Sequence, residues 1–375
     1  MINFLIVTHA EHKYNKQGQL GGYAPYVREM NIWAKHVDSI TIVAPLLEKD
    51  YDNLDIPYQH PNIKFVRIPL TNLSSVKNIL YSLICIPYIL FVIIREMRKS
   101  NHIHLRCPGN IGLLGSVAQI FFPGKKKTAK YAGNWDPESN QPKSYQIQQK
   151  ILTNTFLTKN MKVLVYGNSW PNVSKNILPF FTATYSNNQR EYVAPRQLSK
   201  HLHIRLIYVG ALSSGKQPLL SVKAAQMLTQ KGYKIQLDMF GEGAERTNLE
   251  NYIRNNALGH YITLHGNQSA ETVRGYFKQA HFLIFISKSE GWPKVVAESM
   301  FWGCVPITTK VSCVPDMVDN GNRGTLVVDT PEAVNDAVEK YVHQPDLYAK
   351  ASENGQKWSQ QFTLEKFDEE IKKLL

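Results

Sequence analysis

The sequence predicts an α/β protein made of two doubly wound halves. Three observations predict it: short apolar runs rich in Val, Ile and aromatic residues recur with helical stretches between several of them, a polar break is followed by a second such series, and runs like HFLIFIS are apolar almost throughout. Continuous apolarity of that kind marks a parallel sheet covered on both faces. At 375 residues and 43% hydrophobic, the chain has room for two or three domains of about 150 residues. It is neither a disulfide-stapled miniprotein nor a disordered polyelectrolyte.

In chain order, the first series of predicted strands is Ile2–Thr8, Ser39–Ala44, Ile63–Ile68, His102–Arg106, Thr128–Ala132 and Lys162–Tyr166. The N-terminal run lacks a basic segment and a small-residue cleavage site, so it reads as a strand and not as a secretion signal. The second series is Ile204–Gly210, Lys234–Phe240, Tyr261–His265, Phe282–Ser287, Val305–Thr308 and Thr325–Val328, with a helix at Gln217–Gln230. The polar stretch Ser186–Lys200 between them reads as a linker. Expected domains are therefore 1–195 and 196–357, with the site in the cleft between them at the carboxyl ends of the strands.

The balance of 43 Lys+Arg against 30 Asp+Glu gives a formal charge of +13, which favours an anionic partner: a phosphorylated small molecule, nucleic acid or an acidic membrane. No nucleic-acid motif accompanies the charge, so nucleic acid is not expected. Cys85, Cys107, Cys304 and Cys313 form no CxxC pair and no zinc spacing, which points to a reducing compartment and passive thiols. The uncharged stretch Asn78–Ile94 is shorter than a membrane span and contains Pro87. A buried core helix is the reading, with a membrane-surface helix as alternative, because Arg95, Arg98 and Lys99 follow.

The most informative segment is Ser287–Lys310, SKSEGWPKVVAESMFWGCVPITTK. A strand leads into a loop with Glu290 and Gly291; Pro293 suits a first helical position, KVVAESMFW is helix-compatible, and Gly303 stops the helix before the strand VPITT. A loop carboxylate then faces a helix N-terminus whose free N–H groups suit a diphosphate. Glu298, about one turn in, can accept hydrogen bonds from ribose hydroxyls.

Glu290 and Glu298, with seven residues between them and followed by Trp302, Gly303, Val305, Pro306 and Ile307, resemble the E-x7-E signature of retaining GT-B glycosyltransferases of family four. The resemblance implies the GT-B fold, a nucleotide-sugar donor (UDP- or GDP-linked), retention at the anomeric carbon, and no cofactor or metal. Val209, Gly210 and Lys216 resemble the family's phosphate clamp, with Ala211 where the family has Arg and Gln217 where Gly is common. By resemblance Lys216 places a cation on the leaving diphosphate, Glu290 meets the donor sugar and Glu298 the ribose; Gly291, Lys294 and Val295 are further donor-binding candidates. Lys294 would partly replace the missing Arg.

In the first half, Gly21-Gly22 resembles the family's glycine pair opening the first helix, a donor contact. His9 and His12 share its loop and are candidates for the sugar or acceptor, or are simply solvated. Asn134, Trp135 and Asp136 follow the strand TAKYA: Asp136 would orient or deprotonate an acceptor hydroxyl and Trp135 stack on a sugar, the alternative being a turn before Pro137. Arg106, ending HIHLR, would meet an anionic acceptor. The segment 358–375 is expected as a helix packing back on the first domain, as in relatives.

Other signals carry less. Phe240-Gly241-Glu242-Gly243 lacks the third glycine of a dinucleotide fingerprint, Asp50-Tyr51-Asp52 lies in a polar loop, and His102/His104 and His201/His203 lack a third metal ligand. The basic cluster Lys125, Lys126, Lys127 and Lys130 suits a charged loop or a membrane contact. The expectation is a retaining hexosyltransferase in the cytoplasm, peripheral on the inner membrane, acting on a glycan or lipid-linked saccharide for cell-surface polysaccharide or lipopolysaccharide. The alternatives are a same-fold epimerase or phosphorylase, and a catalytically idle protein that binds nucleotide sugar or a partner glycosyltransferase.

Overall fold

The computed structural model describes residues 1–375 apart from 53, 72–74, 169 and 171–173. The chain divides into two compact units: residues 1–166, 170–180 and 368–375, and residues 167–169 and 181–367.

The first unit holds β1 (Asn3–Val7), β2 (His12–Tyr14), β3 (Leu20–Tyr23), α1 (Ala24–Ala34), β4 (Ser39–Pro45), β5 (Asp55–Pro57), β6 (Ile63–Ile68), α2 (Val76–Lys99), β7 (His102–Cys107), α3 (Asn110–Ala118), β8 (Lys126–Tyr131), α4 (Lys143–Thr153), β9 (Met161–Tyr166) and β10 (Ile177–Phe180). Its parallel sheet runs β10-β9-β8-β7-β1-β4-β6. Leu5, Val7, Ile103, Leu105, Ala129 and Val163 are buried in one core with the Ile89–Met97 part of α2. Each such Val, Leu or Ile side chain contributes roughly 1.5–3 kcal/mol by leaving water.

The second unit holds β11 (His203–Val209), α5 (Pro218–Gln230), β12 (Lys234–Phe240), α6 (Arg246–Asn255), β13 (Ile262–Gly266), α7 (Ala270–Phe277), β14 (Phe282–Phe285), α8 (Lys294–Phe301), β15 (Val305–Thr309), α9 (Val314–Val318), β16 (Thr325–Val327), α10 (Pro331–His343) and α11 (Pro345–Ser359). Its sheet, also parallel, runs β13-β12-β11-β14-β15-β16. All four residues of β14 are buried, as both-face coverage requires. Gly241, at φ +131°, passes so close to the Gly210 carbonyl that a Cβ would lie 2.0 Å from it; the glycines of FGEG therefore serve the crossing of two loops.

Several expectations are corrected. Gly21 and Gly22 lead into α1 at Ala24 but are not themselves helical. They lie in β3, in a small antiparallel sheet β2-β3-β5, where a Cβ on Gly21 would be 2.1 Å from the Ile56 carbonyl and one on Gly22 2.8 Å from that of Glu11. Close strand packing explains both. The stretch 186–200 is not a linker: Val193 N–H donates to Gln356, Gln360 donates to the Glu191 carbonyl, and Thr363 donates to Asn187, so it is bound along α11 and the unit boundary falls at 180/181. The C-terminal segment is two pieces, the end of α11 and α12 (Leu364–Lys372). Its residues from 368 on group with the first unit, where Asp368 pairs with His36 at 3.0 Å. Finally, α2 is a core helix on one face only: Ile89, Val92, Ile93 and Met97 are buried, while its other face is exposed.

His102 and His104 are buried and both hydrogen-bond Thr128 Oγ1 at 2.9 Å. Burial holds them and His12 and His281 neutral, with pKa values pushed down to about 3 for His102 and about 4 for His12 and His281, and well down for His104. As pH falls below about 6.5 the unfolded chain takes up protons on these rings and the folded chain does not, so stability is lost from about pH 6.5 toward 4. Urea midpoints measured across this range should fall with pH, and His102→Gln should flatten the slope.

Candidate functional site

In each parallel sheet the strand order reverses once, and at such a switch point the loops leaving adjacent strands diverge and open a crevice. In the second unit the switch lies between β11 and β14, so the loop 210–217 meets the loop 286–293.

Lys216 precedes α5, whose N-cap Gln217 is left-handed at φ 45°. That conformation suits glycine and costs a residue with a Cβ, as here, roughly 1–2 kcal/mol. Lys216 forms an ion pair with Glu290 and sits 4.8 Å from the centre of the Phe285 ring. Glu290 also accepts from Ser287 Oγ at 2.5 Å. Ser287 is itself fixed by reciprocal bonds with Thr309, at 3.0 and 2.6 Å. Lys288 N–H donates to the Gly215 carbonyl, closing the two loops on each other. Gly210 lies in the same crossing, its N–H on the Phe240 carbonyl, and the Ala211 carbonyl accepts from Tyr208.

Beyond Glu290, the Gly291 carbonyl accepts from Ser312 Oγ at 2.8 Å. Pro293 is the N-cap of α8, one position earlier than expected, its carbonyl accepting from Val296 N–H. Lys294 and the buried Val295 thus open the helix. Glu298 accepts from Thr184 Oγ1 at 2.7 Å and lines a small cavity with Lys294, Trp292 and Tyr185. Burial raises the Glu298 pKa, the Thr184 bond and the Lys294 charge opposing it. The Glu298 charge and, above all, burial raise that of Tyr185 in turn.

Sequence reading missed what holds α8. The Arg196 guanidinium donates to the carbonyls of Phe277, Lys278, Trp302 and Gly303 at 2.6–3.0 Å, satisfying the C-terminal ends of both α7 and α8. Ser287 ends a run already singled out for its apolarity, but Thr184 and Arg196 lie about a hundred residues from their partners and carry no local signal.

The first unit has its own switch point, between β1 and β7. There a pocket of about 540 Å³ is lined by His9, Tyr23, Tyr26, Arg106, the Ala132–Gly133 backbone and Tyr145, among others. Arg106 pairs with Glu29 at 2.9 Å and lies over the Tyr26 ring. Burial, then the Arg106 charge, lowers the His9 pKa, favouring the neutral ring. Lys13, also at this pocket, is held by Asp52 and Asp55 at 3.0 and 2.6 Å.

Other first-unit candidates have structural roles. His12 is fully buried: Nδ1–H donates to the Ala10 carbonyl, so Nε2 accepts from Tyr58. Trp135 is buried edge-on against Tyr131 at 4.8 Å and offers no stacking face. Asn134 Oδ1 accepts from Asp136 N–H and Asp136 Oδ1 from Glu138 N–H, making the turn that was the alternative; neither lines the pocket. Cys107, Cys304 and Cys313 are buried thiols pushed up to about 12, which suits passive packing.

Replacing Arg196 by Met should cost about 3–5 kcal/mol of stability, since four carbonyls lose a charged donor. A denaturant midpoint unchanged in Arg196→Met contradicts this clamp.

Residues 191–358 match the family described as glycosyl transferases group 1. An uncharacterized glycosyltransferase of Methanocaldococcus jannaschii is 28% identical over 148 residues, 36% of this chain and 42% of that protein. Alpha-D-kanosaminyltransferase of Streptomyces kanamyceticus is 28% identical over 151 residues, 40% of this chain and 39% of that one. The matches thus span about two fifths of these relatives' length. Among solved structures, Anabaena HepE in complex with UDP superposes over 100% of this chain and 99% of its own with a TM-score of 0.69 at 12% identity, which shows the fold, GT-B. The likeness to the group 1 glycosyl transferases is thus carried by residues 191–358, the larger part of the second unit.

Proposed function

We propose that the protein is a retaining glycosyltransferase that moves a hexose from a UDP- or GDP-linked donor to a glycan or lipid-linked saccharide in cell-surface polysaccharide or lipopolysaccharide assembly. The observation that carries this reading is the meeting of Lys216 and Glu290 at the switch point of the second unit, just before the N-terminus of α8. The likeness to HepE, which binds UDP and has also been solved with UDP and glucose, supports a nucleotide-sugar donor.

The difficult event is loss of a diphosphate from an oxocarbenium-like carbon. A cation and backbone N–H groups aimed at the phosphates stabilise that transition state more than the ground state. Lys216 supplies one cation, and Lys294 a second where Ala211 carries no charge. A bound diphosphate competes with Glu290 for Lys216, freeing Glu290 for sugar hydroxyls, while Glu298 exchanges Thr184 for ribose hydroxyls. The acceptor proton passes to the departing phosphate, so the scheme uses no metal and no cofactor. The first-unit pocket, with Arg106 and neutral His9, suits an acceptor bearing an anionic group. Cytoplasmic location with peripheral contact to an anionic membrane fits a lipid-linked acceptor.

A second reading, an idle nucleotide-sugar binder, is favoured by one observation: Ala211 removes a charge and the remaining Lys216 is engaged by Glu290. Nucleotide release from UDP-, GDP- and ADP-sugars with mixed glycan acceptors separates the two. Release from one donor class, falling roughly 100-fold or more in Lys216→Ala and sharply in Glu298→Ala, is the expected result. Full-rate release by Lys216→Ala contradicts the assignment, and tight donor binding without turnover on any acceptor favours the idle binder.

A further inference from the structure

Helix α2 (Val76–Lys99) presents two unlike faces. Ile89, Val92, Ile93 and Met97 are buried in the first unit's core, so this face of the helix packs on protein. The opposite face is apolar and exposed. Leu80, Ile84, Tyr88 and Phe91 recur at helical spacing along one stripe, Ile84 being 78% and Phe91 63% exposed, and Ile79, Tyr81 and Leu83 flank it. From Ile79 to Phe91 the stripe runs roughly 20 Å along the helix axis, short of a bilayer core of about 30 Å.

The same stripe then turns basic. Arg95 and Arg98 continue it, and Lys99 follows, all exposed. The acid in this turn, Glu96, is buried and tied to Lys64 at 2.6 Å and Arg95 at 2.8 Å. Lys125 donates to the carbonyls of Arg98 and Ser100 at 2.8 and 2.5 Å, which brings the loop carrying Lys125 and Lys126, and the preceding Phe121, 70% exposed, to the basic end of the helix.

We propose that the exposed face of α2 is a docking surface for an anionic phospholipid bilayer. The helix lies in the headgroup plane with Leu80, Ile84 and Phe91 in the acyl boundary, while Arg95, Arg98 and Lys99 reach phosphates. Tyr81 and Tyr88 suit the boundary, each with an apolar ring and a polar tip. Charge complementarity selects this occupant: a second copy would bring two chains of formal charge +13 together, whereas anionic lipid attracts each basic residue. The proposal names the surface for the peripheral contact suggested above, and its test does not depend on transferase activity.

The full-length protein is sedimented with vesicles of phosphatidylcholine alone and with vesicles containing about one third phosphatidylglycerol. Partitioning onto the anionic vesicles is expected, weakened roughly tenfold or more by the double variant Ile84→Glu/Phe91→Glu and roughly fivefold per charge by Arg98→Gln and Lys99→Gln. UDP affinity and circular dichroism, unchanged in all variants, show that the fold and the second-unit site persist. If wild type binds neither vesicle, or the double variant binds as well as wild type, the proposal is overturned. A wild-type dimer dispersed by the double variant without vesicle binding assigns the face to a second copy instead.

Discussion

The ion pair of Lys216 with Glu290 joins the two loops that the strand order of the second sheet brings side by side. Parallel strands covered on both faces leave only their ends for chemistry. The order β12-β11-β14 then decides which ends diverge, and both partners lie there. The pair is partly buried, so either charge alone would be poorly solvated. Ser287 and Phe285 hold the two ends in place. A ligand that carries its own negative charge for Lys216 and hydroxyls for Glu290 can replace the pair without leaving either group unsatisfied. That exchange links the fold to the proposed chemistry.

Arg196 performs the complementary task for α8. An eight-residue helix is marginal alone, and its C-terminal carbonyls need donors. One guanidinium serves this helix and the end of α7 together. Tyr185 packs on Phe301 and Trp302 at 4.7 and 5.1 Å, and Thr184 meets Glu298. The stretch 181–200 thus fixes the helix whose first turn carries Lys294 and Val295. It is irregular in backbone but tightly bound, which is why its polar composition misleads.

What was legible in the sequence follows from periodicity and local chemistry. The twelve strands read from apolar runs lie in the two parallel sheets, because burial on both faces writes itself into consecutive residues. The strands β2, β3 and β5 were not readable: HKY, LGGY and DIP have neither alternation nor apolar runs. Nor was β10, an edge strand that tolerates Pro179. Spacing and resemblance single out Glu290, Glu298 and Lys216, and the structure brings Lys216 and Glu290 together. Glycine, histidine and tryptophan near the first sheet's edge were ambiguous: Gly22, His12 and Trp135 are packing residues, while His9 and Arg106 face the pocket. Burial decides such cases, and burial depends on contacts distant in the chain. The same holds for α2, whose apolar composition reads as core until its exposed face is seen.

The most direct test is a crystal structure with UDP bound. The expected result is the diphosphate against Lys216 and the first N–H groups of α8, the Lys216–Glu290 pair opened, and the ribose hydroxyls on Glu298 in place of Thr184. UDP in the first-unit pocket, or in the second unit with the Lys216–Glu290 pair intact, would contradict it.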